Sequence, residues 1–327
     1  MTTDTRINAW AEQLAAATPT LDHEQRRIAL HVYHLIAATA RPITVAQIAD
    51  AAGVSDARVE ESLRSWPLVL RDNQGRVVGF WGIHAEHITP THAIEVDGTT
   101  VYAWCAWDTL FITELLGRPT QVSSTDPNNG GRVELSVTPD GIASVDPFGA
   151  VVSLLLPEDG LTDDAIQRFC HKVHFFTSPE SSEEWIADRP GMFAITVDEA
   201  FQLGRATNRL RMGTVIGADP SGGWLMEITL QYFDGCPNWR TTAEHLSRLV
   251  EDGLDGTISY ELIDTHEAAV ARGFRGSPTL LIDGVDPFAD KDAYVGLACR
   301  VYQTEHGYAG SPSLSQLRHA INTATKE

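Results

Sequence analysis

Cys105 and Asp108 stand three residues apart in the stretch 102–110, YAWCAWDTL, which sets a soft nucleophile beside an acid. Leu110, Leu115 and Leu116 lie in a run without proline or glycine, so a helix is expected from Trp104 to Leu115. Positions i and i+3 of a helix face the same way, with Cβ atoms roughly 5–6 Å apart. A carboxylate at that distance can take a thiol proton and later return it. Free cysteine is also among the most buried residue types, and an apolar helix with Trp104 and Trp107 is an ordinary place for an inert one. On spacing alone both readings stand.

The four cysteines, Cys105, Cys170, Cys236 and Cys299, are too far apart for a small disulfide framework, and none forms a C-x-x-C zinc pattern. In a reducing compartment they should be thiols. The chain has 327 residues, enough for about two domains. Its 44 acidic residues against 24 Lys plus Arg give a formal charge of −20. Such a surface repels phosphate backbones and anionic membranes, so neither nucleic acid nor membrane is an expected partner. The start, MTTDTRINAW, has no basic segment followed by an apolar one, and no apolar run approaches the roughly 18 residues of a membrane span. The expectation is a soluble, cytoplasmic protein.

Several elements must position these residues. Ile28, Val32, Leu35 and Ile36 have helical spacing in 24–40, with Arg41-Pro42 as the stop. Thr44 and Gln47 make a capping box closed by Gly53, Ser55 or Asp56 starts a third helix, and 72–75, DNQG, turns a hairpin. That order is winged-helix-like. The would-be recognition helix carries Asp56, Glu60 and Glu61 against Arg58 and Arg64, which argues against DNA. Short strands follow as far as Pro157, including a hairpin turning at Asp97-Gly98 that feeds directly into the Cys105 segment. Thr162–Asp164 should open a short helix leading to RFCHKVHFF, whose second half alternates loosely as a strand. Ser178 and Pro179 open a helix through Trp185, and Thr196 with Glu199 caps one through Arg205. The turn-rich run 213–223 has the content of a linker.

Residues 224–327 show a β-α-β-α-β-β-α order that resembles the core of the thioredoxin fold. Cys236 lies at a strand-to-helix turn, and Ser277-Pro278-Thr279 precedes a strand where thioredoxin-like proteins place a cis-proline against the active cysteine. The motif departs from the pattern in being Cys236-Pro237-Asn238-Trp239, without a second cysteine. A dithiol oxidant of the usual kind is therefore not expected. A thiolate at a helix N-terminus has a lowered pKa, so Cys236 can still be reactive.

YAWCAWDTL, LLGRP, VSS and RFCHKVHFF, in that order and at that separation, resemble organomercurial (alkylmercury) lyase over roughly residues 27–210. The resemblance implies an α+β lyase core behind the winged-helix-like module; the C-terminal α/β thioredoxin-like domain lies outside it. The corresponding divisions are 1–80 for the module, 81–212 for the catalytic core, 213–223 for the linker and 224–327 for the second domain. It also implies that Cys105 and Cys170 bind the mercury of an organomercurial while Asp108 carries protons, giving R–H and Hg(II). Two thiolates suit a soft cation. Trp104, Trp107 and Phe111 are candidates for the apolar surroundings that would lift Asp108 toward the operating pH, although each taken singly is more readily a core aromatic. His171 and His174 are not assigned to the site. This chain has His171 and Asp126 where some members carry a cysteine, and neither change removes a catalytic position.

No cofactor is expected beyond excess low-molecular-weight thiol for product release, with mercury as substrate and product. Cellular thiols and a mercuric reductase or another Hg(II) acceptor are the candidate partners. Cys236, with Cys299 as second ligand, is the candidate recipient of Hg(II) within the chain, since thiolate exchange frees a dithiolate-bound ion and a tether raises effective concentration. The alternatives are a thiol-based soft-metal binding or handover protein, and a thioredoxin-like thiol protein, each without lyase activity.

Overall fold

The computed structural model describes residues 3–157, 165–213 and 226–324 apart from 253, 255 and 290–294. A helix that the sequence reading did not anticipate, α1 (Thr3–Ala16), comes first. Asp22 then caps α2 (His23–Thr39): its carboxylate accepts from Gln25 N, and the Gln25 side chain accepts from Asp22 N. The same reciprocal bonding between Thr44 and Gln47 opens α3 (Val45–Ala52), which ends at Gly53 with φ 65°. Ser55 opens α4 (Asp56–Ser65), and β1 (Val69–Arg71) and β2 (Val77–Phe80) form the wing. The cations of α4 are engaged by acids: Arg58 pairs with Asp22, Glu24 and Glu61, and Arg64 with Glu60.

The wing is continuous with the strands of the core. Phe80 pairs with Ile83 of β3 (Ile83–His84), so the wing is the edge of an eight-stranded antiparallel sheet. Its other strands are β4 (His92–Val96), β5 (Thr99–Ala103), β6 (Thr120–Thr125), β7 (Arg132–Thr138) and β8 (Gly141–Asp146), in the order β1-β2-β3-β5-β4-β6-β7-β8. Asp97 (φ 50°) and Gly98 (φ 77°) give the β4–β5 turn two left-handed residues, as a tight hairpin requires. β5 then runs into α5 (Ala106–Leu116), whose eleven residues are all buried. It is an interior helix, whose polar residues Asp108, Thr109, Thr113 and Glu114 are buried with the rest.

β9 (Val151–Leu154) is followed by α6 (Ala165–Arg168) and a single 3₁₀ turn at Cys170–Lys172. The start of the helix expected at Thr162–Asp164 lies outside the described residues. Of the expected strand after Cys170, only β10 (Phe175–Phe176) forms, against β9. α7 (Pro179–Ile186) starts at Ser178, and β11 (Phe193–Thr196) completes the small β10-β9-β11 sheet. α8 (Val197–Met212) opens on the Thr196–Glu199 capping box and runs past the expected end at Arg205, because no glycine or proline interrupts it after Gly204 until Gly213. Gly204 itself lies against α5: a Cβ there would be 2.8 Å from that of Phe111. The stretch 214–223, the body of the expected linker, lies outside the described residues.

By its internal contacts the chain divides into Met1–Gly222 and Gly223–Glu327. In the second unit β12 (Met226–Tyr232) is paired in parallel with β13 (Gly256–Leu262) and antiparallel with β14 (Thr279–Ile282). α9 (Asn238–Glu251) and α10 (His266–Ala271) connect them. Of the two closing strands in the expected β-α-β-α-β-β-α order, the second reduces to one bridge, Ile282 to Val285; the hairpin is instead β15 (Tyr302–Thr304) with β16 (Gly307–Ala309), ahead of α11 (Leu314–Ala324). Leu230, Leu246, Leu280 and Leu317 are buried together in the core of this unit.

Candidate active site

Cys105 is the last extended residue before α5 (φ −149°, ψ 170°), so the helix begins at Ala106, two residues later than expected. Its backbone N–H donates to Asp108 Oδ2 at 2.9 Å, so the acid is held at the N-terminus of the helix by the residue it serves. Cys170 arrives from the 3₁₀ turn. Ala106 N–H donates to Val173 O (3.0 Å), and Val173 N–H donates to Cys170 O (3.1 Å), which pins that turn to the start of α5. The two sulfurs and a carboxylate oxygen of Asp108 all lie within 4.8 Å of one another, and all three residues are buried. Spacing anticipated the Cys105–Asp108 neighbourhood; Cys170 comes from 65 residues away.

Burial dominates the electrostatics. It lifts the Asp108 carboxyl to about 7, against its hydrogen bonds with Cys105 and the nearby Arg211 charge. Burial, a hydrogen bond with Cys170 and the Asp108 charge push the Cys105 thiol well above the usual range. The neighbouring Cys105 thiol acts to lower that of Cys170, yet burial and the Asp108 charge leave it raised as well. Both thiols are therefore held in the protonated form by burial.

Two supporting residues carry no motif. Gly82 has φ +102°, and a Cβ on it would sit 2.7 Å from Asp108 Cγ. Only glycine admits both that backbone and that approach. Its carbonyl also accepts from Trp104 N at 2.8 Å. Arg211, in the part of α8 beyond the expected end, lies with its guanidinium 4.7 Å from the Trp81 ring centroid and acts electrostatically on Tyr33 and Asp108. The Tyr33 hydroxyl donates to Trp81 O at 2.8 Å, and burial raises its pKa. Gly82 could have been suspected from WGIH as a break between strands. Arg211 carried no sequence signal.

Trp81, Trp104, Trp107, Phe111 and Phe169 line a pocket that reaches Asp108, Cys170 and Arg211. Trp107 is oriented by donating its Nε1–H to Ala200 O (3.0 Å). The histidines of RFCHKVHFF do not join the cluster. His174 is buried between His92 and Trp185, and burial lowers its pKa. His92 donates to or accepts from Ser124 Oγ at 2.8 Å and is lowered to about 3 by burial. Asp126 is a buried anchor: Thr177 N–H, Thr177 Oγ1, Ser181 Oγ and Asn128 N–H all donate to it. The two cysteines of the second unit differ in exposure. Cys236 is buried and Cys299 exposed.

A family model described as alkylmercury lyase matches residues 88–208, and one described as the helix-turn-helix domain of alkylmercury lyase matches 12–81. The alkylmercury lyase of Bacillus cereus is 40% identical over 163 residues, 50% of this chain and 72% of that one. That of Streptomyces lividans is 40% identical over 168 residues, covering 51% and 76%, and that of Pseudomonas putida 37% over 164, covering 50% and 75%. A solved structure, the mercury-bound form of MerB2, superposes with a TM-score of 0.50 over 63% of this chain and 98% of its own; at 20% identity it speaks to the fold. With two relatives at 40% identity aligned over nearly three quarters or more of their length, the chain belongs to the alkylmercury lyase family.

Proposed function

We propose the following division of labour for the carbon–mercury cleavage that the family and the buried Cys105, Asp108 and Cys170 cluster assign to this chain. An organomercurial arrives as a thiol adduct, R–Hg–SR′. The Cys170 sulfur displaces R′S⁻, which leaves as R′SH with the Cys170 proton. Cys105 then passes its proton to the Asp108 carboxylate and adds its sulfur to mercury. The metal, now bearing two thiolates, is electron-rich enough to release carbon. Asp108 delivers the proton to that carbon, R–H leaves, and Hg(II) remains between the two sulfurs. One proton of the two thiols ends in R–H and the other in R′SH. Two incoming thiols then remove the ion and restore both cysteines.

The single observation that carries this reading is the meeting of two sulfurs and a carboxylate within 4.8 Å in a buried site. A binding protein needs the sulfurs alone; the acid, lifted to about 7, is suited to work alternately as base and acid near neutral pH. The aromatic cavity beside it gives an organic group a dry place to sit. We also read the second unit as thioredoxin-like, on the parallel β12–β13 pairing, the antiparallel β14 and the Cys236 turn facing Ser277-Pro278. The cytoplasm is the compartment that suits a reaction requiring reduced thiols. Among the described residues no helix is long and apolar enough to cross a membrane.

The test is benzene release from phenylmercury acetate under excess thiol. Cys105→Ala, Cys170→Ala and Asp108→Ala should each lose cleavage while keeping their circular dichroism. Near wild-type benzene release by any one of them removes that residue from the mechanism.

A further inference from the structure

The two cysteines of the second unit meet around one residue. Cys236 Sγ donates to Ser277 O at 3.3 Å from inside the unit. Cys299 is the parallel bridge partner of Ser277, with Ser277 N–H donating to Ala298 O and Arg300 N–H to Ser277 O, both at 2.8 Å. Both cysteines thus adjoin Ser277, and the neighbouring Cys236 thiol raises the pKa of Cys299. The segment bearing Cys299 is laid in place. Gly276 (φ +100°) passes so close that a Cβ on it would stand 2.8 Å from Ala298 O, and the Tyr302 hydroxyl donates to Pro278 O at 2.5 Å. One sulfur is therefore fixed and buried, and the other is exposed and able to turn.

We propose that Cys236 and Cys299 are a second dithiolate site, which takes a soft two-coordinate cation, in this chain the Hg(II) left by carbon–mercury cleavage. Linear coordination needs sulfurs separated by about two metal–sulfur bonds, ~4.6 Å on the zinc–sulfur value, which a rotation of the exposed Cys299 side chain supplies. The exchange balances without a redox partner. Two Hg–S bonds to Cys105 and Cys170 break, two to Cys236 and Cys299 form, and the two thiol protons pass the other way. A disulfide role for the same pair would need an oxidant or reductant that the cleavage reaction does not supply. The identity of the cargo rests on the lyase reading; the site itself does not.

The experiment titrates the reduced full-length chain with mercuric chloride in excess glutathione, removes small molecules and counts mercury per chain. Wild type should retain two equivalents, and Cys236→Ser and Cys299→Ser one each. X-ray absorption of mercury bound to the full-length Cys105→Ser/Cys170→Ser variant should show two sulfur neighbours in line. One equivalent in wild type with no change in Cys299→Ser, or a single sulfur neighbour in the double variant, overturns the proposal. Because Cys299 is exposed, its variant tests the pair even if Cys236→Ser disturbs the unit. Failure of the lyase reading would appear differently, as two retained equivalents without benzene release from phenylmercury acetate.

Discussion

Replacing Asp108 by asparagine should remove activity and at the same time make the protein more stable at neutral and alkaline pH. Burial lifts this carboxyl from an ordinary 3.8 to about 7, so the folded chain holds the proton after the unfolded chain has lost it. A group raised in this way contributes its full stabilisation below about pH 4 and loses it as the pH rises through about 7. At about 1.4 kcal/mol per unit the whole span is roughly 4 kcal/mol. Between pH 5 and pH 8, wild type should lose about 2.5 kcal/mol that the uncharged asparagine does not lose. Other buried groups, such as His92, are common to both proteins and cancel in the difference. The amide oxygen can still accept from Cys105 N–H, so the start of α5 is kept. Urea unfolding of both proteins at several pH values measures the gap. Benzene release should fall by about 10²–10⁴-fold, the usual contribution of general acid–base catalysis. Parallel stability curves for the two proteins across pH 5–8 would refute the claim that Asp108 titrates in a buried site.

Gly82→Ala should push the Asp108 carboxyl out of line, lowering kcat by about tenfold or more, on the scale expected for a misplaced catalytic group. Gly98→Ala, also left-handed (φ +77°) but with open space around it, is the control for backbone strain and should leave kcat unchanged. If both variants lose activity equally, strain rather than crowding of Asp108 is responsible. Arg211→Met removes a positive charge that holds Asp108 down, so the limb of the pH–rate profile that reports Asp108 should move up by about 1 pH unit. An unmoved limb would mean that Arg211 serves the cavity wall alone.

What could be read from the chain was local. The Thr44–Gln47 and Thr196–Glu199 boxes and the Asp97-Gly98 turn are decided within four residues, and they form as expected. The Cys105–Asp108 pair was legible for the same reason, since a helix start sets its geometry. Cys170 was placed by resemblance, because its position depends on a 3₁₀ turn fastened to Ala106 by a long-range backbone bond. The burial of Cys236 was not legible because burial at a strand-to-helix turn depends on what covers it. Here the Ser277 loop covers Cys236 and leaves Cys299 outside, and no periodicity in LACRVYQ encodes that. Arg211 escaped notice because the helix was stopped seven residues early, and a basic residue in a last turn is ordinarily only a partner for the helix dipole.

Raised pKa values at all three groups look unhelpful for a reaction that needs thiolates, yet the proton balance explains them. Cleavage consumes two thiol protons and must place one of them on carbon. In a wet site the thiols would ionise into solvent, and a proton for carbon would have to be recovered from water at neutral pH. Burial keeps both protons on the protein until mercury, a far stronger competitor for sulfur, displaces them. Asp108, at about 7, is the one group whose two states are nearly isoenergetic at neutral pH, so it accepts from Cys105 and returns the proton to carbon with little free-energy cost in either direction. Arg211 keeps that balance from tipping wholly to the acid, and Gly82 lets the carboxyl stand where both transfers can be made. The fold thus supplies a store of protons and a dry wall. The tight Cys105–Asp108 spacing supplies the path between them.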